Sequence, residues 1–177
     1  RKDGKTNKTE WYEDGKIKSE KSFKDGKIDR TEWYENGNKK WKETTKDGMT
    51  IDRTEWYENG NKKRKVTTKD DKTTTTQWYE NGKKEVQQTY EDGKVYRHRW
   101  YKDGEKEGSV SFIDGKEDGL WIHYYEKDNI YNQRQKMWEV TYKDGKKDGL
   151  STHWYIDGNR KSIGSYKDGI EDGIWSY

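Results

Sequence analysis

The chain contains no cysteine, which excludes a disulfide framework and a metal site built on thiolate ligands. It also lacks alanine and proline, and Leu, Ile, Val and Phe together make up only about 11% of its residues. No apolar run approaches the roughly 20 residues that a helix needs to span a bilayer, so we expect no membrane insertion. The sequence therefore argues against a large aliphatic core and against a transmembrane helix.

So few aliphatic residues would ordinarily predict disorder, but two features oppose it. Aromatic residues make up 15% of the sequence, whereas disordered segments are poor in them. The 38 basic and 35 acidic residues nearly cancel, leaving a net charge of +3. Because a Trp or Tyr side chain buries about 150–250 Å², rings can supply the apolar area that folding requires. We therefore predict a folded chain in the form of a thin, ring-laced sheet.

The charge pattern also bears on the class of ligand. Basic and acidic residues are finely interspersed, which disfavours a groove for nucleic acid. The one dense basic run, residues 61–65 (NKKRK), is more typical of a solvated strand than of a phosphate site. We expect no nucleic acid among the partners.

A recurring glycine sets the period of the sequence. Glycines follow one another every eleven residues from Gly4 to Gly48, and the spacing continues at eleven or twelve to Gly115, with Asp71 replacing one glycine. Nearly all of them follow Asp or Asn. Asp-Gly or Asn-Gly between alternating segments is a strong signal for a hairpin with a type I′ turn. Eleven residues thus correspond to about seven residues of strand and a tight turn.

These hairpins predict an all-β fold, an elongated antiparallel β-meander that forms a single-layer repeat sheet of about seven hairpin repeats of 22–24 residues. We expect residues 1–177 to form one repeat domain. Residues 1–104 keep the regular eleven-residue pitch, whereas residues 105–177 carry a second glycine, as in KEDG (Gly119) and KKDG (Gly149), and an inserted loop near residues 127–135. The extra residues predict a bulge or a different twist in the last third.

A Trp-Tyr pair stands ahead of every second turn. RTEWYENG occurs at residues 30–37 and again, letter for letter, at residues 53–60, with looser copies elsewhere. The pairs supply a row of Trp residues that we take as the first candidate binding site. The row consists of Trp11, Trp33, Trp56, Trp78, Trp100 and Trp154.

Two-residue turns would fix the register of these strands. They predict Tyr12 opposite Ile17, Phe23 opposite Ile28 and Trp11 opposite Lys18. Because side chains alternate, one face would carry a Tyr/Ile/Phe strip and the other a Trp on every second strand. The Trp row is either a recognition strip or dimerisation face, or an internal row whose rings are covered by lysine stems.

A second candidate site is the segment KDNIYNQRQ (residues 127–135), which is about five residues longer than the regular spacing allows. We expect an extended loop that presents Ile130, Tyr131 and Arg134 to a partner. A tolerated insertion without function is the alternative.

No pattern in the sequence indicates catalysis. Asp and Glu recur in every repeat, so no carboxylate pair stands out for acid–base chemistry. His98, His123 and His153 are scattered and belong to no ligand cluster. Neither a nucleophile–base arrangement nor a nucleotide-binding motif occurs. We therefore expect a non-enzymatic protein with no metal and no cofactor.

WYENG, followed eleven residues on by KDG and then by GKEDGLW (residues 115–121) or GKKDGL (residues 145–150), resembles the bacterial variant of the MORN (membrane occupation and recognition nexus) repeat. The resemblance covers essentially the whole chain, although IDRTEW and TTTTQW replace the DGLW pattern in the first half. It implies an elongated meander that serves as a scaffold or protein-binding surface, and an antitoxin-like role such as many bacterial relatives are assigned. Cytoplasmic and secreted or surface locations both stay open.

Three functions fit these observations. The first is a repeat scaffold that binds a protein partner through a sheet face or the long loop. The second is a module that binds carbohydrate or cell wall through its spaced aromatic residues. The third is a structural β-ribbon that self-assembles into homo-oligomers by pairing of edge strands.

Overall fold

The computed structural model describes residues 6–127 and 134–177, and every regular element within them is a β-strand. The strands are β1 (Thr6–Trp11), β2 (Ile17–Lys24), β3 (Lys27–Trp33), β4 (Lys39–Lys46), β5 (Met49–Trp56), β6 (Lys62–Lys69), β7 (Lys72–Trp78), β8 (Lys84–Glu91), β9 (Lys94–Trp100), β10 (Lys106–Ile113), β11 (Lys116–Glu117), β12 (Gly119–Tyr124), β13 (Lys136–Lys143), β14 (Lys146–Trp154), β15 (Arg160–Lys167) and β16 (Ile170–Ser176).

The chain divides into two compact units, Arg1–Glu85 and Val86–Tyr177. In the first unit, β1 to β7 pair antiparallel in chain order. In the second unit, β8 to β10 and then β12 to β16 do the same, and the short β11 pairs with the end of β10. The predicted all-β class and antiparallel meander of hairpins are confirmed.

The Lys-Asp-Gly turns are of the predicted type I′. Between β2 and β3, Asp25 has φ 50° and Gly26 has φ 74°, and the flanking Lys24 and Lys27 are register partners. Left-handed conformations at both central residues define this turn, whose twist matches that of the strands it joins.

The turns after the Trp-Tyr pairs are different, and the prediction of type I′ there is wrong. The Gly15 N–H donates to the Tyr12 carbonyl (3.0 Å), and the Tyr12 N–H donates to the Lys16 carbonyl (2.8 Å). Gly15 has φ 82°, whereas Asp14 is not in the left-handed region, so this is a three-residue turn with a glycine bulge. The Asp14 carboxylate stabilises the turn by accepting a hydrogen bond from the Lys16 N–H (3.0 Å).

The longer turn changes the register of the strand ends. Trp11, not Tyr12, lies opposite Ile17, so the predicted pairs Tyr12–Ile17 and Trp11–Lys18 are wrong. The pair Phe23–Ile28 is confirmed, because it flanks a type I′ turn.

The second glycine of the later repeats marks a bulge, as predicted. Val140 lies opposite Ser151, but Tyr142 lies opposite Lys147, so β14 contains two more residues than β13 over this stretch. A comparable shift separates β15 from β16, where Ile163 pairs with Ser176 and Ser165 with Asp172. Because two residues are added, the alternation of faces is kept on both sides of the bulge.

Aromatic rings pack against one another in the second unit. The Trp121 ring lies 5.2 Å from Phe112 and 4.7 Å from Tyr142, between centroids, and Tyr166 lies 5.2 Å from Trp175. Among the described residues Val140 is the one apolar side chain that is buried. The core is therefore a layer of rings on one face of the sheet.

Candidate functional site

The Trp residues of the predicted row all end a strand, and strand register places them on common faces. In the first unit, Thr31 pairs with Lys42 and Lys42 with Thr54, so Trp33 and Trp56, two residues further along their strands, share one side. The same reasoning adds Trp11 and Trp78 in the first unit and joins Trp100 to Trp154 in the second. We call this side of each unit the Trp face.

The row is not uniformly open. Trp11 is 60% exposed, whereas the other five side chains are half-buried. Two residues before the ring, on the same face, Thr54, Thr76 and Thr152 are buried. Five of the six rings are therefore packed partly against the sheet and exposed only in part.

Lysines alternate with the rings along the row. Lys39 is the register partner of Trp33, and its Nζ lies 5.9 Å from the centroid of the Trp56 ring. Lys62 is likewise the partner of Trp56 and lies 5.8 Å from the ring of Trp78. Each ammonium–ring contact stabilises an exposed site by about 0.5–1 kcal/mol.

The second unit repeats this arrangement with Lys136. It pairs with Tyr124 and lies 5.5 Å from the ring of Trp154. Trp56, Trp78 and Trp154 thus have the lysine contacts that the internal reading of the row requires.

The tyrosine that follows the strand-end ring has a structural role at five positions. Its hydroxyl donates a hydrogen bond to the backbone carbonyl that ends the corresponding strand of the next repeat. These bonds join Tyr12 to Trp33 (2.6 Å), Tyr34 to Trp56 (3.0 Å), Tyr57 to Trp78 (2.9 Å), Tyr101 to Tyr124 (2.8 Å) and Tyr125 to Trp154 (2.9 Å). Burial raises the pKa of Tyr57, with Glu85 and Glu80 acting in the same direction, so the phenol stays a donor.

Arg134, a predicted loop contact, is held against the rest of the second unit. Its side chain is 11% exposed, and its guanidinium lies 4.9 Å from the ring centroid of Tyr101. Its Nη2 lies 3.2 Å from the Asp103 carboxylate, its Nη1 3.6 Å from that of Glu105, and its Nε donates to the Tyr125 carbonyl (3.2 Å). Ile130 and Tyr131, the other predicted loop residues, lie outside the described residues.

Four further Trp residues lie inside strands and were not part of the predicted row: Trp41, Trp121, Trp138 and Trp175. The Trp41 indole N–H donates to the Glu32 carboxylate (2.9 Å), and that of Trp121 to the Ser111 carbonyl (3.0 Å). The ring of Trp138 stacks on His123, with 5.6 Å between centroids. In the sequence, these four Trp residues differ from those of the row in their distance from the second glycine or from the turn.

The sequence reasoning also missed an exposed apolar feature on the Trp face of the second unit. Leu120 and Leu150 each follow a second glycine, and their side chains are 50% and 51% exposed. Ile174 follows the third such glycine, Gly173, and is 93% exposed. We call these three residues the aliphatic ridge; the recurring letters DGL, DGL and DGI were the available signal.

Neither a metal-binding cluster nor a membrane-spanning helix is found within residues 6–127 and 134–177. No group of three His, Cys, Asp or Glu side chains lies close enough together to hold a metal ion. No helix of sufficient length and hydropathy to cross a membrane is found in this part of the chain.

Comparison with known families gives a match in three segments. The MORN repeat variant matches residues 7–25, 49–70 and 74–92, each of which contains one Trp-Tyr pair and the turn after it. These matches fall where the DGLW pattern is absent, so the hairpin around the three-residue turn carries the likeness. A search of curated proteins gives no match.

Proposed function

We propose that this chain is a non-enzymatic repeat module that binds a protein partner through the Trp face of its second unit. The observation that carries the proposal is the aliphatic ridge, because Leu120, Leu150 and Ile174 place half-exposed to fully exposed apolar groups at equivalent positions of successive repeats. Exposed apolar groups that recur on one face are typical of interaction surfaces. The three segments that match the MORN repeat variant also support a repeat-based interaction module.

The proposal is tested with a purified partner. A protein retained by the immobilised chain is identified and purified, and its affinity is measured by calorimetry for the wild type and for Leu120→Asn/Leu150→Asn. We expect saturable binding that the double substitution weakens at least about tenfold, or about 1.4 kcal/mol. Met49→Asn is the control, since Met49 is 70% exposed but lies in the first unit. Absence of any saturable protein ligand contradicts the function, and equal loss in both variants contradicts the chosen face.

Carbohydrate binding is the second candidate, and the open ring of Trp11 favours it. A sugar stacks on a free aromatic face, and Trp11 lies opposite Ile17, whereas Trp33 and Trp56 lie opposite lysines. Titration of a glycan panel against Trp fluorescence tests this candidate. A response that persists in Trp11→Thr contradicts a site at Trp11.

Two finer expectations stay predictions. An antitoxin-like role in a bacterium follows from the resemblance of the repeats, and a toxin-like neighbouring gene would support it. Self-association into homo-oligomers is expected if edge strands pair, and a strictly monomeric chain in light scattering at high concentration would exclude it.

A further inference from the structure

The aliphatic ridge is built by the second-glycine bulges. Gly119, Gly149 and Gly173 all have left-handed φ values, and the ridge residue follows each of them directly. A Cβ at Gly149 would lie 3.3 Å from the Thr141 Cβ, and one at Gly119 would lie 2.9 Å from the Ser111 Oγ. The bulge thus packs its glycine onto a small residue of the preceding strand, and the next side chain stands out from the sheet.

Small hydroxyl residues separate the ridge residues. Thr141 is the register partner of Leu120, and Ser165 is the partner of Leu150. Ser165 also donates a hydrogen bond to the carbonyl of Asp172 (2.7 Å), which fixes it in the floor of the sheet. The surface therefore alternates between a projecting aliphatic side chain and a shallow furrow.

The spacing of this pattern selects the shape of a ligand. Ridge residues stand on every second strand, so they repeat at roughly 10 Å across the strands. Seven residues of an α-helix advance about 10.5 Å, so an i, i+7 pattern matches the ridge. Side chains on one face of an extended strand repeat at about 6.8 Å and fall out of step.

Exposed lysines beside the ridge indicate which charge a bound helix would carry. Lys116, Lys143 and Lys146 are exposed at the turn edge of the same face, where Lys143 and Lys146 are direct register partners. Within the described residues none of the three forms an ion pair, although Lys143 acts together with Lys167, 3.2 Å from Asp148, to lower the pKa of that carboxyl group. Adjacent like charges repel, and carboxylates supplied by a partner would relieve that repulsion.

We propose that the aliphatic ridge binds an acidic amphipathic helix of the protein partner, lying across β12 to β16 with apolar residues at seven-residue intervals and carboxylates toward the three lysines. This proposal rests on the function proposed above, since it names the chemistry of the partner at the same face. Helices that lay an apolar stripe into a groove are an established mode of peptide recognition.

The probe is a synthetic helical peptide of about three heptads, with Leu at every seventh position and Glu beside it, labelled for fluorescence anisotropy. We expect saturable binding to the full chain. Leu120→Asn/Leu150→Asn and Lys143→Glu/Lys146→Glu should each weaken it at least about tenfold, the second variant losing its salt dependence as well. Met49→Asn should bind like the wild type, and Leu150→Met should retain binding, which separates loss of the ridge from loss of folding.

Other outcomes overturn the proposal. Equal binding of the peptide with Lys in place of Glu would show that the three lysines do not select an acidic ligand. Tighter binding of a proline-rich peptide of the same charge would show that the ligand is not a helix. Dimerisation through the ridge, seen as a sedimentation change abolished by Leu150→Asn, would assign the face to a second copy of the chain. If the purified partner still binds the Leu120→Asn/Leu150→Asn variant, this inference fails while the proposed function stands; if no protein binds the wild type, both fail.

Discussion

The two units place opposite chemistry at equivalent positions of the same hairpin frame. Four residues before the strand-end ring, the first unit has Asp29 and Asp52, whereas the second has Leu120 and Leu150. Asp29 accepts a hydrogen bond from Thr44 (2.5 Å), and Asp52 lies 3.3 Å from the Lys65 ammonium. At these positions the first unit has carboxylates with partners in the same unit, whereas the second leaves apolar groups in solvent.

The face opposite the Trp face differs in the same sense. In the first unit it carries a ladder of alternating charges across β3 to β6, composed of Arg30, Glu43, Arg53, Glu55 and Arg64. In the second unit the corresponding region holds the cluster of Phe112, Trp121 and Tyr142. The same hairpin repeat accommodates either charged or aromatic side chains on this face, because turns and strand pairing define the repeat.

The largest expected effect comes from removing the ring at the centre of the second unit. Trp121→Ala deletes two ring contacts and an indole hydrogen bond, so we expect the free energy of unfolding to fall by about 3 kcal/mol. Trp11→Ala in the first unit should cost less than about 1 kcal/mol, since that ring is 60% exposed. Urea unfolding followed by circular dichroism measures both, and similar costs would show that the rings of the second unit are not its core.

The tyrosine hydrogen bonds should be equivalent in the two units. Tyr57→Phe and Tyr125→Phe each remove one hydroxyl bond to a strand-end carbonyl (2.9 Å in both) and leave the ring. We expect each to lower the free energy of unfolding by about 1 kcal/mol. A cost confined to one unit in urea titrations would mean that the frame is not shared.

The two units should lose stability at different pH values as the solution is made acidic. Burial lowers the pKa of His153 below 6.5, with Lys147 and Lys161 acting in the same direction. Because the unfolded chain then binds more protons, stability contributed by neutral His153 is present above pH 6.5 and is lost as the pH falls through the folded pKa. In the first unit the pKa of Glu32 is lowered by its hydrogen bond from Lys40, so the corresponding loss begins below pH 4.5.

Hydrogen exchange of β14 and β4 between pH 7 and pH 4 tests this order. We expect β14 to lose protection first, and His153→Asn to abolish that early loss. Earlier loss in β4, or an unchanged β14 profile in the variant, would contradict the assignment.

The smallest effect is expected in the charge ladder of the first unit. Glu43→Gln removes the carboxylate shared by Arg30 (3.3 Å) and Arg53 (3.4 Å). Partly exposed ion pairs contribute little, so we expect a loss of about 0.5 kcal/mol that disappears in high salt. Thermal unfolding at low and high NaCl checks it, and a salt-independent loss above about 2 kcal/mol would show that the ladder acts as a buried core.

Much of the fold followed from local patterns, but one local pattern was ambiguous. Asp14-Gly15 and Asp25-Gly26 have the same letters, yet the first belongs to a three-residue turn and the second to a type I′ turn. The dipeptide shows only that a left-handed glycine is needed. It does not specify the hydrogen bonds that close the turn, which join the Gly15 N–H to the Tyr12 carbonyl in the first case. Nor does it show that the Tyr12 hydroxyl reaches the Trp33 carbonyl, 21 residues further along the chain.

The candidate site could be predicted only in part, because some of its features are local in the sequence and others depend on strand register. Alternation placed the strand-end Trp residues on a common face, because a period of two is local. The lysines that cover Trp56 and Trp78 come from the hairpin before each ring and depend on the shifted register. Exposure of the ridge depends on which side chain the bulge turns outward, which spacing alone does not state.

The sequence by itself determined the hairpin period, the all-β class, the type I′ turns and the position of the later bulges, because each depends on residues close together in the chain. Only the tertiary structure decided the register at the Trp-Tyr turns, the partners of the rings and the exposure of Leu120, Leu150 and Ile174. The register depends on the three-residue turn, which the Asp-Gly letters do not specify. The partners of the rings and the exposure of these side chains depend on packing between neighbouring strands and repeats. In the repeated Trp-Tyr pair, the tyrosine therefore hydrogen-bonds one hairpin to the next, and the tryptophan packs its ring on the Trp face of the sheet.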